Sequence, residues 1–245
     1  MNQARQPIDV AVLGATGAVG QRFIQLLEGH PWFRVAEVIA SDRSAGQLYG
    51  RAARWVLPGN PPEDVVGREV LPLDADVQSR IVFSALPADI AKTVEWRLAE
   101  AGHVVCSNAS AYRMHEHVPI LLPEVNAPHA ALVRVQRQKH GWGTGGLVTN
   151  SNCTSAPVAM ALAPLRQFGI AAVQLTSLQA VSGGGYPGVP SLDILDNVIP
   201  FINGEEPKLE AEPRKVLGAL DGERIVPLDY AASATCTRVP VLDGH

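Results

Sequence analysis

Cys153 is the residue of this chain best placed for nucleophilic chemistry. It lies in the run Asn150-Ser151-Asn152-Cys153-Thr154-Ser155, where one strand is predicted to end and a helix to begin. The positive end of a helix dipole stabilises a thiolate, which is the form of cysteine that attacks carbon. A small buried cysteine is the alternative, and we favour that interpretation for Cys106 and Cys236, which lie in strand-like runs.

Two further residues that could take part in chemistry lie close together in sequence, near the end of the chain. Arg238 carries a planar guanidinium suited to a carboxylate, and His245 follows seven residues later. A histidine beside a cysteine would supply an acid and base, and such proton transfer contributes about 10² to 10⁴ in rate. A lone histidine is more often a surface or core residue, so the residues alone leave this pairing open.

A glycine-rich turn, Gly14-Ala15-Thr16-Gly17-Ala18-Val19-Gly20, connects the first predicted strand to the first predicted helix. Glycine lets the backbone turn tightly and approach a pyrophosphate, while the N-terminus of the helix presents unpaired N–H groups to it. The spacing is a variant of the common G-x-G-x-x-G pattern, and a glycine turn without a ligand is the alternative. In this context the turn predicts dinucleotide binding.

The second predicted strand is followed by Ser41, Asp42, Arg43 and Ser44. An acidic residue at this place typically binds the ribose hydroxyls of NAD, whereas an arginine accommodates the 2′-phosphate of NADP. Arg43 with its two serines therefore favours NADP, while Asp42 favours NAD unless it points to solvent. A solvated polar loop is the third possibility.

The elements that must position these residues alternate between strand and helix in the first half of the chain. Apolar spacing predicts strands at 8–13, 34–40, 81–84 and 103–107, and helices at 19–27 and 88–101. Strands that alternate with helices of this length indicate a parallel sheet with crossover helices. We therefore predict an α/β, doubly wound nucleotide-binding domain over residues 1–150.

The pattern changes after Thr149. Helices are predicted at 154–168, 192–199 and 205–220, and long strands at 171–181 and 234–241, with a glycine-rich turn that begins at Gly183. Long strands with helices grouped between them indicate an α+β domain, which we place at residues 151–245.

Composition excludes several classes of protein. The 245 residues carry a formal net charge of −4, only 18% are charged and 5% are aromatic, so neither a disordered chain nor a nucleic-acid binder is expected. No apolar run reaches the roughly 18 to 20 residues of a membrane span. Three cysteines, an odd number, favour reduced thiols in a soluble cytoplasmic protein.

Taken in order, the motifs resemble the aspartate-β-semialdehyde dehydrogenase family, most closely its archaeal and fungal branch. The shared runs cover nearly the whole chain: GATGAVGQRF, ASDRSAG, SALPAD, SNASAYRM, PEVN, TNSNCTSAP, TSLQAVSGGGYPGVPSLDILDNVIPFI and RVPVLDGH. The resemblance implies an N-terminal Rossmann domain, a catalytic and dimerisation domain, and a homodimer or homotetramer.

The resemblance also implies a reaction in the biosynthesis of lysine, threonine and methionine. A cysteine attacks L-aspartyl-4-phosphate, inorganic phosphate leaves, and NADPH reduces the thioester to the semialdehyde. It assigns Cys153 as nucleophile, His245 as acid and base, and Gln179 as the residue that orients substrate. No metal is implied.

The family pattern further implies which residues bind the substrate and the cofactor. Arg238 would hold the substrate carboxylate, Glu205 its amino group, and Lys208 and Arg113 the phosphate, although Glu206 and Glu210 lie close enough in sequence to compete with Glu205. The residues that match the family's cofactor site are Gly14, Thr16, Gly17, Ala18, Val19, Ser41, Arg43, Ser44, Ser84 and Gly183.

Other functions remain open at this stage. Malonyl-CoA reductase and N-acetyl-γ-glutamyl-phosphate reductase share this fold and a cysteine thioester, but the former does not require residues that recognise an amino acid. Family members continue well past the position of His245, so we expect this chain to be truncated, and an inactive NADP-binding fragment is a further possibility. A Cys–His hydrolase would not need the glycine turn or Arg43.

Overall fold

The computed structural model describes residues 6–245 and shows alternating strands and helices in the first part of the chain. In chain order these elements are β1 (Ile8–Leu13), α1 (Ala18–Leu27), β2 (Phe33–Ile39), α2 (Tyr49–Ala52), α3 (Glu63–Val66), β3 (Val70–Leu71), β4 (Ile81–Ser84), α4 (Ala88–Glu100), β5 (Val104–Ser107), α5 (Pro123–Asn126), α6 (Leu132–His140) and β6 (Gly146–Thr149). A turn of 3₁₀ helix, Ala127–Ala131, separates α5 from α6.

The second part of the chain has longer strands and fewer of them. Its elements are α7 (Ser155–Leu162), β7 (Ala172–Gln179), α8 (Ser191–Ile194), α9 (Glu206–Val216), β8 (Ala219–Asp221), β9 (Arg224–Val226) and β10 (Ala231–Arg238). Two 3₁₀ segments, Ala163–Phe168 and Val181–Gly184, follow α7 and β7.

The first six strands form one parallel sheet in the order β3-β2-β1-β4-β5-β6. Residues Val10 to Leu13 of the central strand β1 have no exposed surface, as expected for a strand covered by helices on both faces. The strand order reverses direction between β1 and β4, and open α/β sheets bind ligands outside the carboxyl ends of the strands at such a point. The predicted doubly wound Rossmann sheet is confirmed.

The chain separates into two compact units. One contains the described residues up to Tyr112 together with Val133–Thr149, and the other contains Arg113–Leu132 and Asn150–His245. The sequence-based boundary at residue 150 differs from this division in one segment, because Arg113–Leu132 lies in the second unit.

Lys215 of α9 explains why that segment belongs to the second unit. Its ammonium group, on a side chain that is only 5% exposed, donates to the carbonyl oxygens of Arg113, His115 and Val118 at 2.6, 2.8 and 2.7 Å. Burial lowers the pKa of Lys215 to about 8, partly opposed by the neighbouring carboxylate of Glu212, so the side chain keeps three donors at neutral pH.

Lys215→Met should destabilise the chain by about 3 kcal/mol or more, because three buried carbonyls lose their donor at once. The measurement is the free energy of unfolding in urea. Lys139→Met, a substitution of an exposed lysine in α6, is the control and should change that free energy by only about 0.5 kcal/mol. Equal stability of the two variants would contradict the assigned role of Lys215.

Three parts of the second unit differ from the sequence-based prediction. The predicted helix at 192–199 is a single turn, α8, since Leu195 is extended and Asp196 has a positive φ of 53°. The last strand lies at Ala231–Arg238 instead of 234–241, because its pairing with β7 begins at Ala231 and Pro240 has no N–H to donate. The region 205–220 divides into α9 and the first strand of a β8–β9 hairpin.

Among residues 6–245, no helix has both the length and the apolar character required to cross a membrane.

Candidate active site

The glycine turn of the first unit is shaped by close contacts between loops. Gly14 has a φ of +70°, and a Cβ on it would lie 2.6 Å from the carbonyl oxygen of Ala85 in the β4–α4 loop. A Cβ on Gly20 would lie 2.2 Å from the carbonyl oxygen of Gly14. Only glycine fits at these two places, so the turn packs tightly and leaves the start of α1 open to a ligand.

The side chain of Gln21 holds this turn in place through hydrogen bonds. Its buried side-chain amide donates to the carbonyls of Thr16 and Arg54 and accepts from the N–H of Val56. Gly17 is the N-cap of α1. The N–H groups of Ala18 and Val19, in the first turn, therefore have no acceptor within the helix. These features fit the pyrophosphate of a dinucleotide.

The sheet register brings the other predicted cofactor residues to the same edge. Leu13, the last residue of β1, pairs with Ile39 on one side and with Ser84 on the other. The turn after β2, which contains Ser41, Arg43 and Ser44, and the buried Ser84 therefore flank the glycine turn. Asp42 and Arg43 are both exposed.

Gly183, the remaining residue of the predicted cofactor set, belongs to the other unit. It lies in the second unit, in the 3₁₀ segment after β7, where a Cβ would meet Arg238 Nη1 at 3.0 Å and His245 Cε1 at 3.8 Å. The structure therefore groups Gly183 with Arg238 and His245.

In the second unit, Cys153 is exposed and lies on a turn directly before α7. The side-chain oxygen of Asn152 accepts from the N–H groups of Thr154 and Ser155 at 2.9 and 3.4 Å, which caps the helix, and lies 3.9 Å from Cys153 Sγ. The sequence predicts a helix start here, and the structure places the thiol at that helix terminus.

The three cysteines should therefore react very differently with a thiol reagent. Burial raises the pKa of Cys106 to about 11 and also raises that of the fully buried Cys236, whereas Cys153 is exposed. At pH 7 the folded chain should release one equivalent of chromophore quickly from a disulfide reagent, and three only after denaturation. The rapid equivalent should be missing in Cys153→Ala, and its persistence there would contradict the assignment.

Asn152 also joins the turn to the predicted substrate residues. Its side-chain NH₂ donates to one oxygen of Glu205 at 2.8 Å, and Lys208 binds the other oxygen at 2.6 Å. Burial raises the pKa of Glu205, but hydrogen bonds from Lys208, Asn152 and Gln179 outweigh that effect and hold it below its usual value. Glu205 is therefore a carboxylate at neutral pH.

Arg113 is brought to the same turn by a second acidic residue. Glu212, which is 2% exposed, binds Arg113 Nη1 through one oxygen at 3.1 Å and accepts from the backbone N–H of Asn152 through the other at 2.6 Å. Two predicted phosphate-binding cations, Lys208 and Arg113, are thus connected through carboxylates to the residue beside Cys153.

The competing acidic residues on α9 have other partners. Glu206 accepts from the N–H of Cys236 and Glu210 from that of Ala234, both at 3.2 Å. They lie four residues apart on the side of α9 that faces β10. Glu205 alone of these three contacts Asn152.

Gln179 and Arg238 are direct neighbours, because they are paired at the ends of the parallel strands β7 and β10. Both side chains are buried, and Arg238 Nη1 donates to the carbonyl of Ala180 at 2.5 Å. His245 is exposed, and the segment that carries it runs beside 180–182, where Gly244, Val241 and Leu242 accept backbone hydrogen bonds.

Asn152 and Glu212 are the two site residues that sequence analysis missed. A signal for Glu212 was present, since Glu205, directly before α9, recurs at helical spacing with Lys208, Glu212 and Lys215 of that helix. Within residues 6–245, no group of three or more His, Cys, Asp or Glu side chains could hold a metal ion.

Two family models match the chain. Residues 9–133 match the model described as "Semialdehyde dehydrogenase, NAD binding domain", and residues 162–245 match "Semialdehyde dehydrogenase, dimerisation domain".

Individual relatives carry the name aspartate-semialdehyde dehydrogenase. The enzyme of Archaeoglobus fulgidus is 53% identical over 96% of this chain and 69% of its own length, and that of Cryptococcus neoformans is 47% identical over 98% and 69%. The crystal structure of aspartate semialdehyde dehydrogenase with NADP from Candida albicans superimposes with a TM-score of 0.88 at 41% identity, covering 97% of this chain and 69% of that one. The archaeal and fungal resemblance is thus confirmed, and the chain belongs to the aspartate-semialdehyde dehydrogenase family of oxidoreductases.

Proposed function

We propose that this enzyme reduces L-aspartyl-4-phosphate to L-aspartate-4-semialdehyde with NADPH, through a thioester on Cys153, in the biosynthesis of lysine, threonine and methionine. The observation that carries the proposal is the exposed Cys153 thiol at the start of α7, beside a network that contains Glu205, Lys208 and Arg113. An accessible nucleophile beside two cations suits an acyl phosphate.

In the first step, His245 accepts the thiol proton and the sulfur of Cys153 attacks the acyl carbon. A carbon–sulfur bond forms, the bond from carbon to the phosphate oxygen breaks, and inorganic phosphate leaves with that electron pair. Lys208 and Arg113 offset the negative charge that develops on the departing phosphate.

In the second step the thioester is reduced. A bound NADPH would supply the hydride to the thioester carbon. The resulting alkoxide collapses to the aldehyde, the carbon–sulfur bond breaks, and the electron pair returns to sulfur. The imidazolium of His245 then returns its proton to Cys153, which restores the starting state.

The remaining site residues position the substrate. Arg238 would bind the α-carboxylate and Glu205 the α-ammonium, a combination that selects an amino acid. Gln179 would orient the acyl group, because it lies directly opposite Arg238 in the strand register and helps to lower the pKa of Glu205.

The proposed cofactor site lies at the carboxyl edge of the six-stranded sheet. The turn containing Gly14, Thr16, Gly17, Ala18 and Val19 would hold the pyrophosphate, and Ser41, Arg43 and Ser44 the 2′-phosphate, with Ser84 beside them on β4. NADP in the Candida albicans relative supports this choice over NAD.

We also propose a homodimer or homotetramer, since residues 162–245 match the family's dimerisation domain. The pathway and the three free cysteines support a cytoplasmic location.

The test is the reverse reaction: reduction of NADP⁺ that requires both L-aspartate-4-semialdehyde and inorganic phosphate. Phosphate-dependent turnover supports the proposed substrate pair. NADP⁺ reduction with malonate semialdehyde and coenzyme A, or with N-acetyl-L-glutamate 5-semialdehyde and phosphate, in place of the aspartyl substrate would contradict it.

A further inference from the structure

Glu212 of α9 contacts two residues of the candidate site and has no role in the proposed reaction. Its carboxylate is buried, and each of its two oxygens binds a different part of the site. One accepts from the backbone N–H of Asn152 at 2.6 Å, and the other binds the guanidinium of Arg113 at 3.1 Å.

The contact with Asn152 fixes the Ser151–Asn152 peptide, one residue before the nucleophile. The Asn152 side chain is held as well, by Glu205 on one side and by the N–H groups of Thr154 and Ser155 on the other. Glu212 therefore supplies the backbone restraint on a turn whose side-chain restraints come from elsewhere.

The contact with Arg113 orients a cation and balances its charge. Arg113 is 8% exposed and Lys215 is 5% exposed, so two positive groups lie in a poorly hydrated region with Glu212 as their neighbouring anion. A guanidinium held by a carboxylate on one side presents its remaining N–H groups in a fixed direction.

We propose that Glu212 is a positioning residue that sets the geometry of Arg113 toward phosphate and of the Ser151–Asn152 peptide, which precedes the nucleophile's turn. The inference depends on the proposed function, because it assumes that Arg113 binds the phosphate. The Glu212 carboxylate would then couple the phosphate subsite to the turn that carries Cys153.

Glu212→Gln is the sharpest substitution to test it. Glutamine has a similar shape but only one side-chain oxygen, so it can accept from Asn152 or from Arg113 but not from both. Whichever contact it keeps, its NH₂ group meets a donor on the other side. Glu210→Gln is the matched control, because glutamine still offers an oxygen to the single N–H of Ala234.

The measurement is the protection of Cys153 by inorganic phosphate against alkylation with iodoacetamide, which does not require turnover. We expect the phosphate concentration that halves the alkylation rate to rise about tenfold or more in Glu212→Gln. The control should match the parent. The alkylation rate without phosphate should also change in Glu212→Gln, and thermal unfolding of both variants reports their stability.

Equal phosphate protection in the parent and Glu212→Gln would overturn the inference. If Glu212→Gln does not fold, Glu212→Asp retains the charge but is too short to span both partners, and it should fold with weakened phosphate protection. Parental protection in Glu212→Asp, or failure of both variants to fold, would reduce Glu212 to a structural residue and overturn the inference. If phosphate fails to protect even the parent, the proposed phosphate site is wrong, and the inference fails with it.

Discussion

Cys153→Ala should lower the rate of phosphate-dependent NADP⁺ reduction by about 10⁴-fold or more while leaving NADPH binding unchanged. The expected loss is large because no thioester can form without the sulfur, and both chemical steps proceed through it. Binding should persist because the proposed pyrophosphate turn belongs to the first unit, whereas Cys153 belongs to the second. The measurements are steady-state turnover and titration of NADPH fluorescence.

Cys106→Ala is the control for this experiment, since Cys106 lies within β5 and burial keeps its thiol protonated. It should retain most of the parental turnover. Turnover in Cys153→Ala close to that of the parent would remove Cys153 from the mechanism, and loss of NADPH binding in the same variant would point to a disturbed fold.

Arg238→Lys should lower kcat/KM for L-aspartate-4-semialdehyde by about 10²-fold, mainly through a higher KM. Lysine keeps the positive charge but replaces a planar two-pronged donor with a single ammonium. It can still reach one acceptor, such as the carbonyl of Ala180, but not a carboxylate in bidentate geometry as well. The measurement is steady-state kinetics with the semialdehyde as the varied substrate.

Arg214→Lys is the matched control, because Arg214 contacts Asp229 and the carbonyl of Tyr230 and has no proposed role in substrate binding. Its kinetics should match those of the parent. A changed KM for NADP⁺ with an unchanged KM for the semialdehyde would contradict the assignment of Arg238 to the substrate carboxylate.

The sheet of the first unit could be predicted from sequence because its strands are buried on both faces. Such strands appear as short apolar runs between glycine-rich turns, and β1, β4 and β5 lie within one residue of their predicted bounds. β3 was not predicted, since two residues, Val70 and Leu71, carry no periodic pattern. Helix α6 was missed as well, because most of its residues are polar.

The site was predictable only where its residues lie in continuous motifs. Cys153, Gln179 and Arg238 lie in such runs, whereas Glu205 could not be separated from Glu206 and Glu210 until the partners of each were known. The structure shows Glu206 and Glu210 bonded to the edge of β10. The contact between Glu212 and Asn152 joins residues 60 positions apart, a separation at which local pattern carries no information.

The most direct test of the proposed mechanism is the covalent intermediate itself. The chain is incubated with L-aspartyl-4-phosphate in the absence of NADPH, quenched in acid, digested, and analysed by mass spectrometry. We predict one aspartyl group attached to the peptide that contains Cys153, with no such adduct in Cys153→Ala. An aspartyl group on a different residue, or its absence while phosphate-dependent turnover is intact, would contradict a thioester mechanism at Cys153.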